Sequence, residues 1–274
     1  MIERLRKSVP SVSAALLAGL LAGCGPSFVE IPIETPIAPK LDITPFQRVY
    51  VAGFLAGAND DVDANMETVR LLRSQLRNKN VLRVVDADAV PLAERALEAV
   101  PPPANGGAPA PAEDAAAQAA AEAIAAGQLP PVTDERGLDQ YAPVFSDTEY
   151  WKAVGAEHEQ PLIVTGSILF VPLARSGFVQ REQEVYDSFG RRQVVPVRTY
   201  MERTGFILRP TFVFIDGRTG EQLYSESFRE EVLYNANQQT PALSSYFELM
   251  DRLLPTFLNT LSAQKIRGSR VLIK

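Results

Sequence analysis

The sequence predicts an α/β (α+β) fold: a single domain built on a mixed β-sheet, with flanking helices and a long helix towards the C-terminus. Three observations carry this expectation. A strand–helix–strand unit occupies residues 48–86. An apolar segment at 161–171 leads into an alternating β-meander that runs to residue 234. A helical stripe of large apolar residues follows at 242–264. Helices and hairpins grouped in this way along a chain pack as helices against one sheet.

In chain order, residues 1–23 form a leader. Arg4, Arg6 and Lys7 make a basic start, and Ala14 to Leu21 an apolar stretch. That stretch is far shorter than the ~20 residues needed to span a bilayer, so the layout is that of a cleavable secretory signal. Leu21-Ala22-Gly23-Cys24 closes the leader and holds the only cysteine of the 274 residues. This tetrad resembles the bacterial lipobox. The resemblance implies that the Cys24 thiol receives a diacylglyceryl group, that cleavage falls before Cys24, and that the freed amine is acylated. In that family an aspartate after the cysteine favours retention in the inner membrane. Here Gly25 follows, which points to the outer membrane and a domain facing the periplasm. Two or more acyl chains hold a protein stably where one does not.

Residues 24–45 are expected to be a proline-rich, lipidated tether. Pro26, Pro32, Pro36, Pro39 and Pro45 favour extended backbone without regular pairing. Ile31, Ile33 and Ile37 are apolar for a free linker.

The first part of the domain is expected at residues 46–100. Arg48-Val49-Tyr50-Val51-Ala52-Gly53-Phe54 reads as a strand. Gly53 to Asp63 reads as a polar loop. Met66, Val69, Leu72 and Leu76 recur at spacings of three and four, which predicts an amphipathic helix with Asp63 as N-cap and Asn78-Lys79-Asn80 as its end. Val81 to Asp86 reads as a second, largely buried strand, parallel to the first across a helical crossover. Ala89 to Val100 reads as a further helix with Pro91 in its first turn.

Residues 101–137 change composition. Pro101-Pro102-Pro103 and Asn105-Gly106-Gly107 break regular structure, and Ala112 to Gly127 contains ten alanines. With few large apolar groups to bury, this stretch is expected to be a mobile insertion.

The second part is expected at residues 138–274. Ser146-Asp147-Thr148-Glu149 fits a capping box before Tyr150, Trp151 and Val154. Pro161 to Val171 reads as a central strand covered on both faces. Phe178 to Tyr186 and Val194 to Thr204 flank a turn around Ser188-Phe189-Gly190-Arg191. Gly205 to Asp216 and Leu223 to Tyr234 are joined by Asp216-Gly217-Arg218-Thr219-Gly220, a hairpin signal. From Ala242 to about Gln264, Phe247, Met250, Leu254, Phe257, Leu258 and Leu261 share one helical face. Pro255 should kink or split that helix, because an interior proline costs ~3 kcal/mol.

The order of these elements resembles a group of bacterial envelope lipoproteins: the curli-assembly lipoprotein, the lipoprotein activators of penicillin-binding proteins, and the N-terminal domain of the Tol-system translocation protein. Four segments carry the resemblance, Val49-Tyr50-Val51-Ala52-Gly53-Phe54, Val84-Val85-Asp86, Leu162-Ile163-Val164-Thr165-Gly166-Ser167 and Phe212 through Glu221 with its Asp-x-x-Thr-Gly turn. Residues 101–137 depart from it. The resemblance implies a small α/β domain with a mixed sheet and carries over no catalytic residue.

The chemistry-bearing residues are sparse. His158, the sole histidine, lies between Glu157 and Glu159 and is expected on the solvated surface. Without a Cys/His set, no structural zinc site is expected. No phosphate loop or nucleophile elbow is present; Gly53 and Gly57 are two glycines in a loop. Asp86 and Asp88 could act as an acid–base pair, but strand-end aspartates are usually caps. Tyr224, Phe228 and Tyr234 are expected to fill a sheet face. Cleavage before Cys24 takes the net charge from −6 to −8, which leaves no basic footprint for nucleic acid. With Cys24 lipidated, no thiol remains for a disulfide. No catalytic, cofactor or metal site is therefore expected.

The expected role is that of a non-enzymatic outer-membrane lipoprotein. Its periplasmic domain would serve as a scaffold or component of envelope assembly or export, with a periplasmic or outer-membrane protein partner and room for a homo-oligomer. The alternatives are an activator of a cell-wall synthase and a secretion-pore subunit. A pore of hairpins needs ~10-residue strands with an apolar row facing lipid. Neither face of 178–186 offers one, and Arg203 interrupts the better face of its partner strand, so a periplasmic hairpin is expected.

Overall fold

A computed structural model describes residues 28–57, 61–99, 122–124, 127–130, 132–235, 238 and 240–273. The leader, Cys24 and most of the 101–137 insertion lie outside the described residues. The chain divides into two units, a domain over residues 39–262 and, among the described residues, a ribbon formed by 28–38 and 263–273.

The domain has the expected mixed α/β architecture. Strands β2 (Arg48–Ala56), β3 (Arg83–Val84), β4 (Leu162–Tyr186), β5 (Arg192–Asp216) and β6 (Gln222–Ser227) form a sheet in the order β3-β2-β4-β5-β6, and β7 (Glu230–Asn235) also pairs with β5. β2 runs parallel to β3 and β4, as a helical crossover requires; the remaining pairs are antiparallel.

Helices cover both faces. α1 (Ala64–Lys79) and α5 (Ala242–Leu261) pack on one side; α2 (Leu92–Ala99), α3 (Glu135–Asp139), a 3₁₀ turn (Ala142–Ser146) and α4 (Thr148–Glu157) lie on the other. Strand alternation sorts the core. Leu162 and Val164 face the first layer and Ile163 the second. In β2 the sorting changes phase. Val49 and Val51 face the first layer and Tyr50 and Ala52 the second, but beyond a register shift at Gly53 it is Phe54 that faces the first and Leu55 the second. Gly53, at φ 120°, supplies the backbone conformation of this bulge. Trp151, Tyr50, Tyr246, Phe212 and Phe257 are fully buried, and each such side chain contributes about 1.5–3 kcal/mol by leaving water.

Several local expectations hold. The Asp63 carboxylate accepts from the Met66 amide at 2.9 Å, and Asn80 caps the other end of α1 in the left-handed region. Others need correction. The cap of α4 is Asp147, which accepts from the Tyr150 amide at 3.1 Å, because Ser146 is taken up by the preceding 3₁₀ turn. β3 is two residues long and only part-buried, since it lies at the sheet edge. Residues 223–234 form two strands. Pro210, whose carbonyl accepts from the Phe228 amide at 2.9 Å, has no N–H to return, and the pairing with β5 breaks there. Pro255 does not split α5: it and Asp251, whose carbonyl loses its partner, are both exposed, so water can satisfy that carbonyl. The end of the supposed mobile insertion is built into the core. Leu129 is fully buried and pairs with Gly57, and α3 starts at a capping Asp134.

The largest correction concerns the tether. Residues 28–37 are a strand, β1 (Phe28–Ile37), paired antiparallel over ten residues with β8 (Gln264–Ile273), for which no element was expected. Leu41 is buried in the domain core, so residues 39–45 are no tether either. The prolines are compatible with pairing on one edge. Pro32 and Pro36 are four residues apart, hence in one phase of the ladder, and a strand with a single partner has a phase whose amides face away from it.

The domain brings its two ends together. The Leu41 amide donates to the Thr260 carbonyl at 3.1 Å. The Glu226 carboxylate accepts from Lys40, from Thr260 Oγ1 at 3.1 Å and from Tyr224 Oη at 3.2 Å.

Candidate interaction surface

β4 and β5 pair without interruption over 25 residues each, from Leu162↔Asp216 to Tyr186↔Arg192. The sequence reads as four strands here; the structure has two, because the β4–β5 register runs without a shift through Pro172↔Phe206 and Leu173↔Gly205. β2 accompanies β4 only to Ile168, and β7 accompanies β5 only over Arg203–Leu208. Residues 176–186 and 192–202 therefore stand as a two-stranded arm, about 35 Å long at 3.3 Å per residue. Among the described residues, both outer backbone edges of this arm are unpaired.

The arm is preorganised at its tip and root. At the tip, the Asp187 carboxylate accepts from the Phe189 and Arg191 amides, each at 2.9 Å, and from Arg191 Nε at 2.8 Å. The Arg191 amide bond, outweighing desolvation with help from the guanidinium, holds the Asp187 carboxyl below its ordinary range. The Arg191 guanidinium lies 5.4 Å from the Phe189 ring centroid. Phe189, 81 % exposed, is thus fixed from behind and presented to solvent. At the root, Arg175 pairs with Glu231 of β7 at 3.0 Å.

Residues directly opposite share a face. One face carries Phe178, Tyr186, Val194 and Tyr200 among Gln180, Glu182, Glu184, Arg192 and Arg198; Phe178 and Tyr200 meet edge-to-face at 5.4 Å. The other carries Val179, Val185, Val195, Val197 and Met201 among Arg175, Arg181, Gln183, Gln193 and Arg203. Exposed aromatics with unpaired backbone edges are the features by which an extended partner strand is bound.

The other singled-out residues have structural roles. His158 ends α4 and, contrary to the solvated position expected, is half-buried with its ring 4.2 Å from that of Tyr50. Burial pushes the Tyr50 phenol up to about 12, and its hydroxyl donates to the Asp88 carbonyl. Asp86 pairs with Arg77 instead of forming a pair with Asp88. Gly57 is packed against Val132: a Cβ there would lie 2.7 Å from the Val132 amide nitrogen. Tyr224, Phe228 and Tyr234 pack against the core as expected.

The Asp216–Gly220 turn is a latch. The Asp216 carboxylate is held below its usual range by Arg218, which donates to it from Nε at 3.0 Å and from a terminal nitrogen at 2.7 Å. Gly155 lets the turn approach: a Cβ there would lie 1.9 Å from the Gly217 carbonyl oxygen.

Among the described residues, no group of three His, Cys, Asp or Glu could hold a metal ion, and no helix is long and apolar enough to cross a membrane. The expected lipidation site, Cys24, lies outside the described residues.

No protein-family model matches the chain, and no curated protein matches it. Among solved structures it is similar to the crystal structure of lipoprotein GNA1162 from Neisseria meningitidis, at 9 % identity over 77 % of this chain and 98 % of that one, with a TM-score of 0.32. A likeness this slight transfers neither fold nor role.

Proposed function

We propose that this chain is a non-enzymatic lipoprotein, anchored through Cys24 at the periplasmic face of the outer membrane, that presents its domain and arm to a protein partner in envelope assembly or export. The observation that carries the reading is the arm: two 25-residue strands whose distal parts have unpaired backbone edges and whose connecting turn holds a fixed, exposed Phe189. Exposed aromatics beside unpaired backbone edges suit the binding of an extended partner strand. Photo-crosslinkable residues at Phe189 and Tyr200 in living cells test it. A discrete crosslinked protein from both positions is expected, and diffuse or absent crosslinks would contradict the reading.

The length of the arm favours one second reading, a secretion-pore subunit, because each strand exceeds the ~10 residues a membrane-crossing strand needs. Against it, Glu182, Glu184 and Arg198 interrupt one face and Arg181, Gln183 and Gln193 the other. Defined conductance steps from the purified protein in planar bilayers would favour the pore.

A further inference from the structure

We propose that the ribbon of β1 and β8 lies flat on the lipid surface through its isoleucine face. This inference rests on the lipidation of Cys24 given above. The register places Ile31, Ile33 and Ile37 on one face with Ile266, which stands opposite Thr35. All four are 42–55 % exposed. The other face is charged: Glu34 pairs with Lys265 at 3.3 Å and Arg267 at 3.1 Å, and Ser269 donates to Glu30 at 3.1 Å. Val271 is an exposed apolar residue on that side, which by register Phe28 and Ile273 share.

A two-stranded ribbon with an open apolar face is only marginally stable in water. Chain length decides what covers it. Phe28 follows Cys24 by four Cα–Cα steps, at most about 15 Å. With the acyl chains of residue 24 in the bilayer, the first strand residue is kept within about 15 Å of the lipid interface. An amphipathic element held there settles with its apolar side ~5–10 Å into the interface. Arg270, on the isoleucine face opposite Ile31, has a stem long enough to keep its guanidinium among the headgroup phosphates.

The test uses the full lipidated protein. Once Cys24 carries its lipid, a cysteine placed in the ribbon is the sole free thiol. Ile33→Cys and Ser269→Cys, on opposite faces at the same height, are labelled with a small fluorophore. The proteins are reconstituted into phosphatidylethanolamine–phosphatidylglycerol vesicles containing a brominated lipid. The proposal expects loss of most of the fluorescence at position 33 and little at 269. Equal water exposure at both positions, with acyl chains on Cys24 confirmed by mass, overturns the ribbon's placement and leaves the anchor intact. A position-33 label shielded from both water-borne quencher and brominated lipid overturns it in favour of a protein cover. An unacylated residue 24 overturns the anchor itself.

Discussion

The Leu41 amide donates to the Thr260 carbonyl at 3.1 Å, so the chain enters and leaves the domain at one point. Beside this pair, Glu226 gathers Lys40, Tyr224 and Thr260. The arrangement turns two sequence-distant ends into neighbours, so that residues 28–37 find residues 264–273 as a pairing partner.

Glu226→Gln should therefore lower stability by about 1–2 kcal/mol, since a part-buried carboxylate loses charge-assisted hydrogen bonds. Burial pushes the Glu226 carboxyl up, but the bonds from Lys40, Thr260 and Tyr224 outweigh it and leave it below the ordinary value of 4.5. A depressed value stabilises the folded state above 4.5 and ceases to do so as pH falls through the folded value. Urea denaturation at neutral and acidic pH should show a smaller acid-side loss for the variant than for the wild type.

At alkaline pH the sign reverses. Burial raises the Tyr50 phenol to about 12 against 10.0 for the free side chain. Its stabilising effect is complete below pH 10 and is lost as pH rises towards 12, because the unfolded chain releases the proton first. Tyrosinate absorbance should rise in two stages, the second coinciding with loss of the folded circular-dichroism signal. Tyr50→Phe should reduce the second stage.

The latch predicts a sharp contrast between glycines. Gly155→Ala puts a Cβ 1.9 Å from the Gly217 carbonyl, and in Gly220→Ala the φ of 77° and the Thr148 carbonyl at 2.0 Å add strain to overlap. Each should cost about 3 kcal/mol or more. Gly177→Ala, with nothing within 4 Å in the arm, should stay within about 0.5 kcal/mol of wild type. Thermal denaturation of the three variants checks the order.

For the arm, Phe189→Ser should leave the urea midpoint unchanged, because the ring is 81 % exposed and buries little. The same change should abolish the in-cell crosslink formed from Tyr200. A variant that keeps the crosslink would remove Phe189 from the interface.

Much of the domain was legible because its signals are local. Val69, Leu72 and Leu76 mark α1, Asp63 caps it, and Asp216 to Gly220 marks its hairpin. What was missed depends on partners distant in sequence. Pro32 and Pro36 read as breakers until β8 supplies a single paired edge. The bulge at Gly53 reverses the faces of Phe54 and Leu55, which no alternation count reveals. Leu129 looked like part of an insertion because its partner, Gly57, is 72 positions away. The arm is visible as hairpin strands, but its continuity with the central pair follows from the unbroken β4–β5 register, and its free edges from the lack, among the described residues, of a third strand beyond Ile168 and Arg203.

The anchor is tested most directly by mass spectrometry of the N-terminal peptide of the protein purified from membranes. The peptide is expected to begin at Cys24 and to carry the mass of a diacylglyceryl thioether and an amide-linked acyl chain. An unmodified cysteine, a leader still attached, or a first residue elsewhere would contradict it.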